Sequence, residues 1–269
     1  ERLRSISIVA LDKTGTLTEG KPQVTDIVGV GRSQSKVLSL AAALETGSNH
    51  PLAIAILARA QADKTPIPPA ASARAIAGKG VSGKVGGEDV FLASPAAAAE
   101  RVMIEPELQA VIDGFNDAGK TVSVLVAGIL AIRDEPRADA EAGLHALKAA
   151  GVGVVMLTGD NARTARAIGS RLGIEVRAGL LPEDKQRIVR ELQSEGKVVA
   201  KVGDGINDAP ALAAADIGIA MGGGTDVALE TADAAVLHAR VLDIAGMINL
   251  SKATMANIWQ NIAVSLGLK

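Results

Sequence analysis

The 269 residues carry 28 Lys and Arg against 30 Asp and Glu, a net charge of -2 that supplies no basic field for nucleic acid. Hydrophobic residues make up 48% and charged ones 22%, which suits a packed globular chain and excludes disorder, and the lack of cysteine excludes disulfides and thiolate metal sites within these residues. No apolar run approaches the ~20 residues that span a bilayer, and with Phe91, Phe115 and Trp259 as the aromatic residues the cores must be packed from Val, Ile, Leu and Ala.

The first predicted element is the apolar run Ile6-Ser7-Ile8-Val9-Ala10-Leu11, a buried strand that ends in Asp12. A carboxylate at the end of a strand in an α/β sheet is placed to act as a nucleophile. Behind it, Gly15 lets backbone N–H groups approach an anion, Thr14 and Thr16 add hydroxyls, and Lys13 adds a positive charge. Residues 21 to 128 then break the α/β rhythm. Helices are predicted at 35–44 and 52–62, followed by the Pro-rich Thr65-Pro66-Ile67-Pro68-Pro69 and by strands at 73–77, 81–85, 89–92 and 121–126 separated by Gly turns such as Gly86-Gly87. This reads as an inserted domain of antiparallel strands, with chain crossings near Gly20-Lys21-Pro22 and Ala127-Gly128 forming a hinge.

From Arg133 onward helices and strands alternate: helices at 138–150, 162–172, 182–193 and after Asn207, strands at 152–157, 197–202, 217–220 and 234–237. The fold class is therefore α/β, a doubly wound parallel sheet (residues 1–20 and 129–250) with the Asp12 strand central, plus an α+β insert at 21–128. Val241 opens one long helix whose apolar positions run to the end of the chain without a stop signal. Residues 251–269 read as the start of a transmembrane helix, and the chain as a piece of a longer one.

Three later loops complement Asp12. Thr158-Gly159-Asp160 offers a hydroxyl and an open backbone to phosphate oxygens, and Asp160 with Asn161 suits the cap of the next helix. Lys185 is an ammonium able to neutralise a transferring phosphoryl group. Gly203-Asp204-Gly205-Ile206-Asn207-Asp208 gathers two carboxylates and an amide beyond a strand, hard oxygen ligands of the kind Mg²⁺ takes. Within the insert, Ser48-Asn49-His50-Pro51 stands at a helix start and Gly78-Lys79-Gly80-Val81-Ser82-Gly83 is a Gly-rich turn; each alone is ambiguous.

Asp12-Lys13-Thr14-Gly15-Thr16-Leu17-Thr18 resembles the phosphorylation motif of P-type ATPases, and with Leu157-Thr158-Gly159-Asp160-Asn161 and Val202-Gly203-Asp204-Gly205-Ile206-Asn207-Asp208-Ala209-Pro210-Ala211-Leu212 it resembles that family's version of the haloacid dehalogenase site. The resemblance implies ATP and Mg²⁺ as cofactors and an aspartyl-phosphate on Asp12. It implies Mg²⁺ on Asp12, Asp204 and the Thr14 carbonyl, phosphoryl oxygens held by Lys185 and Thr158, with Gly159 and Asp160 beside them, and orientation by Asn207 and Asp208. Asp134 and Arg137 resemble the family's DxxR, where a salt bridge and a nucleotide contact are implied. The His-Pro and Gly-rich motifs resemble those of the heavy-metal branch, which implies Glu45 and His50 at adenine and close backbone approach at Gly78, Gly80 and Gly83. Asn261 and Lys269 resemble the N(x)7K pattern of zinc, cadmium and lead exporters, implying Lys269 as a transport-site residue.

By the same resemblance the chain is the cytoplasmic part of a membrane pump, its partners an actuator domain and a metal-bearing membrane domain elsewhere in the protein. Two alternatives stand beside it: a soluble aspartate-dependent phosphatase whose insert caps the substrate, and a nucleotide-binding module without catalysis. Soluble phosphatases of the superfamily carry an acid two residues after the nucleophile; here that residue is Thr14, which cannot serve as a base near neutral pH.

Overall fold

The computed structural model describes residues 1–76 and 79–267. Along the chain it forms β1 (Ile8–Asp12), β2 (Gln23–Gly29), α1 (Gln34–Glu45), α2 (Pro51–Ala62), β3 (Ala70–Ile76), β4 (Gly80–Val85), β5 (Glu88–Ala93), α3 (Pro95–Ala99), α4 (Pro106–Asp117), β6 (Thr121–Leu125) and β7 (Gly128–Arg133). There follow α5 (Ala140–Ala149), β8 (Gly153–Leu157), α6 (Ala162–Leu172), β9 (Glu175–Arg177), α7 (Pro182–Ser194), β10 (Val199–Gly203), α8 (Ala209–Ala214), β11 (Ile217–Met221), α9 (Asp226–Thr231), β12 (Ala234–Val236) and α10 (Val241–Gly267). The chain divides into two compact units: Glu1–Glu19 with the segment from Pro136 onward, and Gly20–Glu135.

The first unit is a parallel sheet in the order β12-β11-β10-β1-β8-β9, so the strand bearing Asp12 is central, as its uninterrupted apolar run implies. Strands buried on both faces need no polar alternation, and all five residues of β1, β10 and β11 are buried. One face packs Val9 and Leu11 against Leu144 and Leu147 of α5, Ala165 and Ile168 of α6 and Ile244 of α10. The other packs Ile8 and Ala10 against Ile188, Val189 and Leu192 of α7 and Ala211 of α8. Helix starts are defined locally. The Asn161 carboxamide oxygen accepts from the Arg163 and Thr164 N–H groups, each at 3.0 Å, while Pro182 opens α7.

The second unit is an antiparallel sheet in the order β2-β7-β6-β5-β4-β3. Gly86 and Gly87, at φ 60° and 87°, make the two-residue turn between β4 and β5 that both residues' left-handed backbone demands. Helices α1 and α2 cover one face of this sheet, over Val24, Val85 and Leu130. Helices α3 and α4 cover the other, over Phe91, Val122 and Ile129.

Two expectations change. The second crossing lies at Glu135/Pro136 and not at Ala127-Gly128, because Gly128–Arg133 pairs between β2 and β6 and so belongs to the inserted sheet. The insert holds two helices, α3 and α4, and two strands, β2 and β7, that the sequence pattern did not separate. Helix α10 is one continuous element, with Leu250, Trp259 and Leu266 exposed at 68%, 57% and 71%; among the described residues no helix is long and apolar enough to cross a membrane.

Candidate active site

Register brings the polar strand ends together. Asp12 pairs with Leu157, placing it beside Thr158, and Leu11 pairs with Val202, two residues before Asp204. The turn after Asp12 is compelled by Gly15 at φ 71°, where a Cβ would overlap the Asp204 carboxylate. Arg137 fixes that turn from behind: its Nε donates to the Thr16 carbonyl at 3.0 Å and its Nη2 to the Gly15 carbonyl at 2.7 Å. The Arg137 guanidinium, assigned to a nucleotide contact, is thus engaged with the loop that carries Thr14. Thr16 is fully buried, and its hydroxyl has no hydrogen-bond partner among the described residues.

Asp12 is buried, and its carboxylate accepts from the Lys185 ammonium. Lys185 also donates to Asp208 Oδ1 at 3.1 Å, and the same oxygen lies 2.9 Å from Nζ of Lys201, a lysine at 0% exposure in mid-strand β10. Oxygens of Asp12, Asp204 and Asp208 lie within 4.8 Å of one another. Three carboxylates this close cannot share a buried site without cost. Burial first, and then the charge of Asp208, push the Asp12 carboxyl above its ordinary range against the pull of Lys185 and Lys201. Burial, then Asp12 and Asp208, push Asp204 up to about 6. Burial also opposes ionisation of Asp208, yet Lys201 and Lys185 outweigh it and hold its carboxyl low; burial likewise opposes the charge on Lys185, and Asp12 and Asp208 outweigh it. Asp208 is therefore a satisfied anion, while Asp12 and Asp204 carry the unmet negative charge that a divalent cation would relieve. The donor set fits Mg²⁺.

Thr158, 3% exposed, accepts at its hydroxyl from the Asp160 N–H at 3.1 Å. Asp160 does not cap α6, which is the work of Asn161; it pairs with the ammonium of the buried Lys13, so the charge next to Asp12 is already matched. Gly159 and Asn207 are exposed at the rim. Sequence reasoning missed Lys201, Lys13's pairing and Arg137's grip on the loop, because a lone basic residue carries no pattern that reveals burial.

In the inserted unit, Glu45 is buried at the end of α1, and burial raises its pKa against a hydrogen bond with Ser48. His50 is the N-cap of α2, its Nδ1 accepting from the Leu52 N–H at 3.3 Å. Desolvation holds that imidazole below its ordinary pKa, in the neutral form that can accept. A Cβ at Gly80 would strike Ala93 of the neighbouring strand, and one at Gly83 would press on Ala73 and Leu44, so both glycines answer to internal packing. Asp134 accepts from the Lys21 N–H at 3.2 Å. A groove of about 530 Å³, lined by Arg74, Lys84, Arg101 and Phe91 among others, takes in Gly83 but neither Glu45 nor His50. Gly78 and Lys269 lie outside the described residues.

Residues 6–216 match the family described as haloacid dehalogenase-like hydrolase. The zinc/cadmium/lead-transporting P-type ATPase of Escherichia coli (strain K12) is 50% identical over 279 aligned positions, covering 100% of this chain and 37% of that protein. A crystal structure of a zinc-transporting PIB-type ATPase in its E2.Pi state aligns with a TM-score of 0.73 at 49% identity, over 99% of this chain and 44% of that one. The catalytic domain of the CPx-ATPase CopB-B aligns with a TM-score of 0.71 at 30% identity, over 92% of this chain and 90% of its own. Relatives 44% identical are named for silver and for copper. The chain spans well under half the length of these curated relatives.

Proposed function

The chain belongs to the haloacid dehalogenase-like hydrolases and, within them, to the heavy-metal P-type ATPases, and on that premise we propose that it takes the γ-phosphoryl group of ATP onto Asp12 as the catalytic part of a metal-exporting pump. The observation that carries the reading is the buried strand-end Asp12 in contact with the Lys185 ammonium, with Asp204 alongside. In this reading an Asp12 oxygen attacks the γ-phosphorus in line, the bond to the β–γ bridging oxygen breaks, and ADP leaves with that electron pair. Lys185 neutralises the equatorial oxygens, and Thr158 and Gly159 bound the phosphoryl site. Asn207, at the rim, orients the group together with Asp208. Asp12, Asp204 and the Thr14 carbonyl would hold Mg²⁺, which when bound supplies further charge neutralisation at the phosphoryl oxygens.

Thr14 carries the distinction from a phosphatase. With no acid at that position this chain has no base there to activate water against the acyl phosphate, so the intermediate persists until another part of the pump, the actuator domain, acts on it. Residues 20–135 supply the nucleotide site, with Glu45 and His50 at the adenine end. Export of Zn²⁺, Cd²⁺ or Pb²⁺ through membrane segments outside this chain is the metal assignment that the 50% relative favours over the silver and copper relatives at 44%. In that assignment the present chain is the cytoplasmic portion of an integral membrane protein.

The test is incubation with Mg²⁺ and γ-labelled ATP, acid quench, and assay for hydroxylamine-sensitive protein phosphate. Label is expected on the wild type and none on Asp12→Asn. Label persisting on Asp12→Asn would refute the nucleophile, and rapid turnover of small phosphate esters would favour the soluble phosphatase. ATP binding with no label on either protein would favour the nucleotide-binding module.

A further inference from the structure

Lys201 is among the largest fully buried side chains, and the transfer just described makes no use of it. Alternation along β10 puts it on the face of Val199, under Ile188 and Val189 of α7 and Ala211 of α8. Packing alone would favour Met or Leu there, because removing an ammonium from water costs several kcal/mol unless it is paired and hydrogen-bonded. Lys201 meets that condition through two acceptors: the Val202 carbonyl at 2.6 Å and Asp208 Oδ1 at 2.9 Å. Because Asp208 Oδ1 also accepts from Lys185, and Lys185 from the other side meets Asp12, four buried groups form one line of alternating charge: Lys201, Asp208, Lys185, Asp12.

The line has a direction. Without Lys201, Asp208 would retain Lys185 as its only ammonium and would draw it away from Asp12, where the phosphoryl charge develops. Resting on the phosphoryl-transfer reading above, we propose that Lys201 is a positioning residue: by holding Asp208 it leaves the Lys185 ammonium directed at Asp12 and at the group transferred to it. Lys201 makes its contact with Asp208 and none with Asp12, so its positioning effect passes through Asp208, beside the longer-range pull of its charge on Asp12.

Lys201→Met keeps the packed volume and removes the charge. In single-turnover labelling with Mg²⁺ and ATP, its maximal rate of protein phosphorylation should fall about tenfold while the half-saturating ATP concentration stays that of the wild type. In an Asp208→Asn background, the same change should cost no more than about twofold, since the group through which Lys201 acts is gone. A wild-type rate for Lys201→Met, an effect on half-saturation alone, or equal losses in both backgrounds would overturn the proposal. If Lys201→Met does not fold, the double variant Lys201→Met/Asp208→Asn, which removes both charges, replaces it. Its rate should lie within about twofold of that of Asp208→Asn, and a double variant slower than that overturns the proposal. A wild type that takes no label sinks the phosphoryl-transfer reading and this proposal together, whereas a labelled wild type with an unimpaired Lys201→Met sinks this one alone.

Discussion

Asp204 sits half-solvated between two other carboxylates, and its pKa of about 6 has a thermodynamic sign. A carboxyl raised from 3.8 stabilises the fold fully only below 3.8, and that contribution is lost as pH rises through about 6, so ionised Asp204 is a cost near neutrality. In metal-free buffer at pH 7.5, Asp204→Asn should raise thermal stability by about 1–3 kcal/mol, with the gain vanishing towards pH 4. Millimolar Mg²⁺ should stabilise the wild type and not the variant; a variant less stable than wild type at pH 7.5 would contradict this. At this scale the sequence was most legible where residues came in strings. Asp12, Thr158, Lys185, Asp204 and Asp208 were named from loops that each follow a strand or open a helix, and the register of the parallel sheet gathers those loops at one edge. Lys201 was illegible because a lysine between Ala200 and Val202 looks like any solvated charge until Asp208, from the turn before α8, is seen to meet it. Asp160 was misread as a cap because Asp and Asn are interchangeable at that position in sequence, and the choice was made by Lys13 from the loop after β1.

At the scale of elements, α10 is held by small residues on α5. A Cβ at Gly143 would come within 2.7 Å of the Val241 and Leu242 backbone, so the two helices approach as only glycine permits. Asp139 adds a cap at the same point, accepting from the Leu242 N–H at 2.9 Å. Asp139→Ala should cost about 1 kcal/mol in denaturant unfolding, and Gly143→Val about 1–3 kcal/mol, since the helix backbone must move aside. Equal midpoints for wild type and Gly143→Val would show that the contact is looser than drawn. The helix itself was plain from its apolar repeat, but this docking was not, because a glycine within a helix announces a close approach without naming the partner. Strand β7 was lost for a related reason: Gly128–Arg133 is apolar enough to suit either sheet, and only its pairing with Gln23–Gly29 decides which.

Across the whole molecule the two units differ in how the chain builds them. The unit from Gly20 to Glu135 is continuous in sequence, has its own sheet with a core on each face, and closes with Gln23 paired to Arg133 so that its ends lie side by side. It should therefore fold when expressed alone, with a single cooperative transition by calorimetry, and should retain any nucleotide affinity of the whole chain; a non-cooperative melt would show that it depends on the rest. The other unit has no such independence, for its central strand is separated from both of its neighbours by the entire insert. Ile8 pairs with Gly153 on one side and Val199 on the other. During synthesis at 5–20 residues per second, the β1 segment, apolar on both faces, waits roughly 10–40 s before β10 emerges to cover it. The insert has time to fold first, leaving a sticky unpaired strand tethered to a finished domain. Newly made chains should thus be most prone to aggregation, and most in need of a holding chaperone, in the interval between completion of the inserted unit and translation of the loop that carries Asp204.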